Sequence, residues 1–366
     1  MPPATTTPSA ESFAPPARDV GAPVRVALDL MGGDQAPEAV IDGALLALDE
    51  LPAVSVTLVG PEQVARRLLA DRGRSEACVI APATQVIGMG EDPARAVRAK
   101  RDATVRVAAQ LVRDGGADAM VSVGSTGATM AAALFTLGRL PGVTRPALAI
   151  DLPTPAGPVV LLDAGATVEA GPDLLAQYAV AGSAYARIRY GLPHPRVGLL
   201  SVGSERSKGD PLRKLAYDVL TGLAEAGLLV FIGNVEGHDA AGGPADVIVT
   251  DGFTGNVLLK GMEGAAAMVT TLLTGTILDP TPGPVTAGTV LPLLAEVSDR
   301  VGSAAMGGAL LGVHGVVVIG HGSSSPRAVT GAIAQAVQLH RQDVLPAVAR
   351  GLAALSGRSS LHAVTP

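Results

Sequence analysis

The sequence predicts an α/β protein: three layers, α/β/α, built on a mixed, mostly parallel sheet. Three observations carry that prediction. From Val24 onward, short apolar runs alternate with amphipathic helical stretches, the order expected of a sheet covered on both faces. Several runs end in glycine turns that open straight into a helix, placing backbone N–H groups at a sheet edge, where ligands bind in such folds. The chain has 366 residues, 48% of them hydrophobic, enough for one large core, and no linker divides it.

Residues 1–23 are rich in Pro, Thr, Ser and Ala without an apolar run, so they read as a disordered tail and not as a signal peptide. VRVALDL then leads through Met31-Gly32-Gly33-Asp34 into the helix PEAVIDGALLALDEL. VSVTLVG precedes the helix PEQVARRLLADRG. A core strand around Cys78 is followed by a basic helical region, DPARAVRAKRDATVRVAAQLVRDGG. ADAMVSVGSTGATMAAALFTLGRL is strand, glycine turn and helix again. PALAIDL and GPVVLLDAG, parted by Pro-Thr-Pro-Ala, suit a hairpin, with the helix PDLLAQYAVAGSAYARIRY beyond. RVGLLSVGSERSKGDPLRKLAYDVL repeats the plan, and VFIGNVEG is a further strand.

ADVIVTDGFTGNVLLKGMEG is the most telling stretch: a buried strand from Val247 to Thr250, an Asp251-Gly252 turn, then a helix carrying Asn256, Lys260 and Glu263. Ala265 to Asp299 holds no Lys or Arg and reads as a helical hairpin apolar on more than one face, either a subunit interface or a surface that touches lipid. The last strands, near Gly312 to Gly320, run into IGHGSSS and one long helix from Pro326 to Leu352. The domain is expected over 24–352, with a flexible tail over 353–366.

Composition excludes several functions. Aromatics are 2% and Trp is absent, so bases have almost nothing to stack on, and a net charge of −6 disfavours nucleic acid. Cys78 is the single cysteine, which rules out a disulfide framework and a Cys-rich metal site. No stretch reads as a membrane span, so a soluble, cytoplasmic protein is expected. Histidines are scattered, and no metal is expected.

Five turns combine glycine with small polar residues: Gly32-Gly33-Asp34, Gly124 to Gly127, Gly203 to Asp210, Asp251 to Asn256, and His321 to Ser324. Taken together on one sheet edge, they point to a phosphate-type ligand. Neither a Walker-type loop nor G-x-G-x-x-G is present, which disfavours ATP and a standard dinucleotide. The chain has only two asparagines, Asn234 and Asn256, and four lysines against twenty-three arginines. Lys208 suits a phosphate or a developing oxyanion, or is a solvated loop lysine. Asp251 orients or deprotonates a nucleophile, or caps its own turn. His321 donates to an anion, or caps the next helix. Arg95, Arg98, Lys100 and Arg101 form a basic cluster on an acidic chain, either a solvated face or a landing site for an acidic partner.

These residues resemble the bacterial phosphate acyltransferases of phospholipid synthesis. The resemblance runs from about Val24 to Leu352 and rests on ALDLMGGDQAPE, VSVGSTGA, GVTRPALA, LLDAGA with GPDLLAQYA, SVGSERSKGDPLRK, FIGNVEG, DVIVTDGFTGNVLLKGMEG and HGSSS. It implies a fold like that of the isocitrate and isopropylmalate dehydrogenases and of phosphotransacetylases, a homodimer, and no cofactor. It implies acyl carrier protein and inorganic phosphate as substrates, and as a further partner the membrane glycerol-3-phosphate acyltransferase that uses acyl-phosphate, with peripheral attachment at the inner membrane face. Lys208 and Asp251 are the implied catalytic residues. Gly32, Gly33, Asp34, Ser125, Thr126, Gly127, Asp163, Asn256, His321, Gly322 and Ser323 are the implied phosphate or substrate residues.

The chain departs from the family pattern at Ser125, Thr167, Ser201, Ser204 and Asp210, and Gly307-Gly308-Ala309 lacks the usual Pro. Most of these are small polar residues that cover part of an asparagine's hydrogen bonding. The chemistry is coherent without the name: phosphate is already an anion, and a thiolate of pKa about 8.5 leaves without strong acid help. No covalent nucleophile is needed. The rival readings are an acetyl-type phosphotransacylase using coenzyme A, and a non-enzymatic dimeric scaffold.

Overall fold

The computed structural model describes residues 22–278, 307–322 and 324–362. Most of the expected N-terminal tail, Ser323 and the part of the helical hairpin beyond Leu278 lie outside that range. The chain begins β1 (Val24–Asp29), α1 (Glu38–Glu50), β2 (Val54–Gly60), α2 (Glu62–Asp71) and β3 (Val79–Pro82). It continues α3 (Pro93–Ala99), α4 (Thr104–Arg113), β4 (Ala119–Ser122), α5 (Thr126–Thr136), β5 (Ala147–Leu152) and β6 (Val159–Leu162). Next come α6 (Pro172–Arg189), β7 (Arg196–Leu200), α7 (Pro211–Glu225), β8 (Val230–Val235), β9 (Val247–Val249) and α8 (Gly252–Leu278). The described chain closes with β10 (Gly308–Leu311), β11 (Val316–Ile319), α9 (Pro326–Arg341) and α10 (Val344–His362).

The strands form one sheet in the order β3-β2-β1-β4-β11-β10-β5-β6-β9-β7-β8. Side chains alternate across it, so each strand feeds two cores. Val26 and Leu28 of β1 pack on one side with α1, α2, α6, α7, α9 and α10; Ala27 packs on the other with α3, α4, α5 and α8. The layers are therefore α/β/α, with strands apolar on both faces, as parallel sheets require. Tyr178 and Tyr185 of α6 are the bulkiest fully buried side chains and fill space that Ala and Val leave open elsewhere.

Neighbouring strands run parallel except at β11–β10, β10–β5 and β5–β6. Three reversals leave β6, β9, β7 and β8 running opposite to β1, β4 and β11. The expected β5–β6 hairpin is present, and its effect on direction overturns the expectation of five turns on one edge. The turns after β1, β4 and β11 lie at one edge, and those after β7 and β9 lie at the other.

Other expectations need correction. Cys78 precedes an edge strand, not a core one: Val79 is 67% exposed, because β3 pairs only with β2. The basic region breaks into α3 and α4 where Ala103 pairs with Gln85. The long last helix breaks at Asp343, whose φ of 56° lies in the left-handed region that Asp tolerates better than most residues. α10 then continues to His362, past the expected start of a flexible tail at 353, with Leu352 buried and Leu355 packed on the core.

Candidate functional site

At the first edge, three turns meet. Gly32 approaches Gly124 so closely that a Cβ would lie 2.8 Å from the Gly124 nitrogen. Gly33 has a φ of 97°, and a Cβ there would meet the carbonyl oxygen of Gly322 at 3.0 Å. The Asp34 amide donates to that same carbonyl at 2.7 Å. Beneath them Asp29, 4% exposed, accepts from the Ser122 hydroxyl at 2.8 Å, and that hydroxyl accepts from the Gly124 amide at 3.2 Å. Burial pushes the Asp29 carboxyl up, against the pull of Thr104 and Ser122. The cavity between these turns measures about 160 Å³ and is covered by Val86 to Met89. Ser125 caps α5 by accepting from the Ala128 amide at 3.3 Å, so serine performs the capping that asparagine performs elsewhere. Thr126 and Gly127 begin that helix, half-buried.

At the second edge the centre is Arg213, an arginine the sequence reading did not single out. It is 9% exposed, pairs with Asp251, and donates to Asp210 at 3.0 Å, Thr250 at 3.1 Å and Thr254 at 3.0 Å. Asp210 also caps α7 by accepting from the Arg213 amide at 2.8 Å. Burial works to raise the Asp251 carboxyl, but the Thr254 and Arg213 hydrogen bonds and charge outweigh it and hold it below the usual carboxylate range. Asp251 is thus a fixed anion that orients groups, and a poor base. Its contribution to stability is full above the unfolded carboxylate pKa, near 3.9, and is lost as pH falls through the lowered value.

The Gly203–Asp210 loop sits beside this pair. Asn234 secures it, donating to the Glu205 carbonyl at 2.9 Å. Lys208 is exposed and, among the described residues, makes no ion pair. Two buried polar atoms at the loop base, Ser201 Oγ and Asn234 Oδ1, have no hydrogen-bond partner. Asp163 is nearby but is not a ligand group: it is 0% exposed and accepts backbone N–H bonds from Leu148, Gly165, Ala166 and Thr167. Its place is structural, and burial raises its carboxyl despite those bonds. Thr167, where the related pattern has Asn, supplies one of these amides, an atom every residue but proline has.

α8 joins the two edges. Its first turn holds Thr254 and the exposed Asn256 at the second edge. One turn on, the Lys260 ammonium lies 2.9 Å from His321 Nε2 and 2.8 Å from Glu263. An ammonium only donates, so His321 accepts at Nε2 and carries its own donor at Nδ1, with Lys260 a second donor beside it. The helix from Gly252 to Gly275 is long and apolar enough to cross a membrane by length and composition, contrary to the sequence expectation. Its polar contacts at both sheet edges tie its first two turns to the α/β core, and Met268, Val269, Leu272 and Leu273 leave an apolar stripe exposed.

The basic cluster survives in part. Arg95, Arg98 and Arg101 are exposed, with the Arg98 guanidinium 4.6 Å above the Phe135 ring. Lys100 is spent on Glu91 at 2.6 Å, while Asp92 caps α3 and Asp102 binds Thr84. Cys78 is no nucleophile: burial pushes its thiol up to about 11, with Arg74 pulling down more weakly. Among the described residues, no group of three His, Cys, Asp or Glu side chains is placed to hold a metal ion.

Comparison with known proteins follows the same lines. The model of a family described as fatty acid synthesis protein matches residues 24–346. A phosphate acyltransferase of Bacillus cereus is 42% identical over 327 residues, covering 89% of this chain and 97% of that protein. Another, from Desulforamulus reducens, is 43% identical over 332 residues, covering 90% and 97%. Among solved structures, a phosphotransacetylase from Streptococcus pyogenes superposes with a TM-score of 0.59 at 20% identity, covering 87% of this chain and 95% of that one. A branched-chain phosphotransacylase from Enterococcus faecalis gives 0.52 at 18% identity, covering 87% and 99%. At such identities the likeness is one of fold.

Proposed function

The chain belongs to the fatty acid synthesis protein family, and on that premise we propose that it is a phosphate acyltransferase moving a fatty acyl group from acyl carrier protein to inorganic phosphate, an early step of phospholipid biosynthesis. The observation that carries the site assignment is Lys208, an exposed ammonium without an ion-pair partner among the described residues, in the loop whose Asp210 binds the buried arginine that holds Asp251 ionised. A phosphate oxygen attacks the thioester carbonyl carbon, Lys208 stabilises the oxyanion, and the C–S bond breaks to release a thiolate that takes a proton from solvent. Asp251, through Thr254 and Arg213, fixes the geometry of the loop and of the start of α8. Asn256 and the first-edge turns, with Lys260 beside His321, complete the polar surface for phosphate and the thioester arm. Incubation with palmitoyl-acyl carrier protein and phosphate is expected to yield acyl-phosphate; no product would overturn the assignment. Because the fold is shared with phosphotransacetylases, the same assay with acyl-coenzyme A separates the two donors.

Asp251→Asn is expected to cut turnover strongly and to destabilise the fold by about 3 kcal/mol, since it leaves Arg213 buried with a weakened partner. Full activity with only a lower melting temperature would reduce Asp251 to a structural partner of Arg213. Arg95, Arg98 and Arg101 receive the acidic carrier protein. Reversing Arg98 and Arg101 to Glu is expected to raise the KM for acyl carrier protein about tenfold at low salt, with the KM for phosphate unchanged and the salt dependence flattened. Equal losses for both substrates would mean a damaged active site, and no loss would mean an ordinary solvated face. The exposed stripe of α8 pairs with a second copy of the chain, giving a homodimer, and the acyl-phosphate passes to a membrane glycerol-3-phosphate acyltransferase that this cytoplasmic enzyme meets at the inner membrane face.

A further inference from the structure

The cavity at the first sheet edge has a floor tied down by buried hydrogen bonds and a roof that is not. Asp29, Ser122 and the Gly124 amide lock the floor together. The roof is the segment 86–91. Just before it, Thr84 and Gln85 are bound to Asp102 and Thr104, and just after it Asp92 caps α3. Between those two roots, among the described residues, every hydrogen bond from the segment to the rest of the protein ends on one side chain. The Lys100 ammonium donates to the Val86 carbonyl at 2.7 Å and to the Glu91 carboxylate at 2.6 Å. Glu91 in turn accepts from the Gly88 amide at 2.7 Å, so one ammonium gathers both arms of the loop. The remaining hold is apolar: Ile87 packs on the core below, and Met89 reaches over Gly322.

Two magnitudes set what this arrangement can do. Closed, the cavity measures about 160 Å³, well below the roughly 300–1,000 Å³ of small-molecule sites, so a thioester arm needs the roof displaced. The Lys100–Glu91 pair is open to water, with side chains 30% and 40% exposed, and such pairs contribute little to stability. It therefore yields to another carboxylate that competes for the ammonium. Lys100 stands in the chain between Arg98, in the last turn of α3, and Arg101, both exposed. An acidic surface arriving at Arg95, Arg98 and Arg101 brings such carboxylates, and the same surface repels Glu91. Both effects act towards release.

We propose, on the reading that the basic cluster receives an acidic carrier protein, that Lys100 is a positioning residue: it latches the 86–91 segment over the first-edge cavity, and docking of the carrier draws it off Glu91 and opens the cavity to the thioester arm. The chain has no Trp, so Met89→Trp places a single indole on the roof. The test is acrylamide quenching of that indole in the full chain, with and without carrier protein that bears no acyl group, the signal of the carrier alone being subtracted. Carrier binding, followed separately by calorimetry, is expected to raise the quenching constant about threefold, the population shift that release of a surface ion pair allows. Lys100→Met in the same background is expected to show the raised value without carrier and no further rise with it. Glu91→Gln, which keeps the Val86 bond and weakens the other, is expected to fall between the two. If the carrier does not bind the Met89→Trp protein, the reading of the basic cluster fails and the proposal falls with it. If the carrier binds and the indole stays shielded, or if Lys100→Met is quenched no more than its parent, the latch alone is overturned.

Discussion

Lys208→Ala is expected to lower acyl-phosphate formation by about a hundred- to a thousandfold, the usual effect of removing a group that stabilises charge in the transition state. The fold is expected to survive, because Lys208 is exposed and the Gly203–Asp210 loop is secured by Asn234 and by the Asp210 cap. Single-turnover measurements on acyl carrier protein thioester would locate the loss in kcat. Lys208→Arg is expected to fail as well, since a planar guanidinium has a different reach and donor geometry from an ammonium. Wild-type turnover by the alanine variant would remove Lys208 from the mechanism.

Gly255→Ala carries the largest expected effect on the fold. A Cβ at this position would lie 1.9 Å from the Asp163 carbonyl oxygen, a backbone atom with no rotamer to change. The start of α8 must move away from β6, and the Asp163 knot and the Asp251–Thr254 hydrogen bonds move with it. A loss of about 3 kcal/mol or more is expected, read as an earlier urea midpoint, together with loss of activity. Gly261→Ala, further along the same helix with nothing within 4 Å of its Cβ, is the control. It is expected to be neutral or to stabilise by up to about 1 kcal/mol. Equal effects at the two positions would mean that the close approach at Gly255 is not tight in solution.

The alternation of strands and helices was legible because apolar runs of strand length are bounded by Gly and Pro, and the β5–β6 hairpin was legible from Pro-Thr-Pro-Ala. What that hairpin does to direction across the sheet was not. A hairpin reverses one strand, but whether the whole second half reverses depends on where β10 inserts, and only long-range pairing decides that. Rarity exposed Lys208, Lys260, Asn234 and Asn256, all of which occupy the sheet edges or the loop beside them. Arg213 stayed hidden for the opposite reason: among twenty-three arginines it carries no signal, although it holds Asp251. Asp29 was hidden by its place inside an apolar run, where a carboxyl looks like the end of a strand.

α8, running between the two sheet edges, acts as a gear. Lys260 meets His321 only because it stands one turn beyond Asn256, and each added residue would rotate it about 100° and advance it about 1.5 Å. One residue inserted between Asn256 and Lys260 would leave the start of the helix rooted through Thr254 and the composition nearly unchanged, yet swing the ammonium off His321. Conservative changes at the residues between Asn256 and Lys260 are therefore tolerable where a change in their number is not, and that spacing is the phase that keeps the two halves of the sheet in mesh.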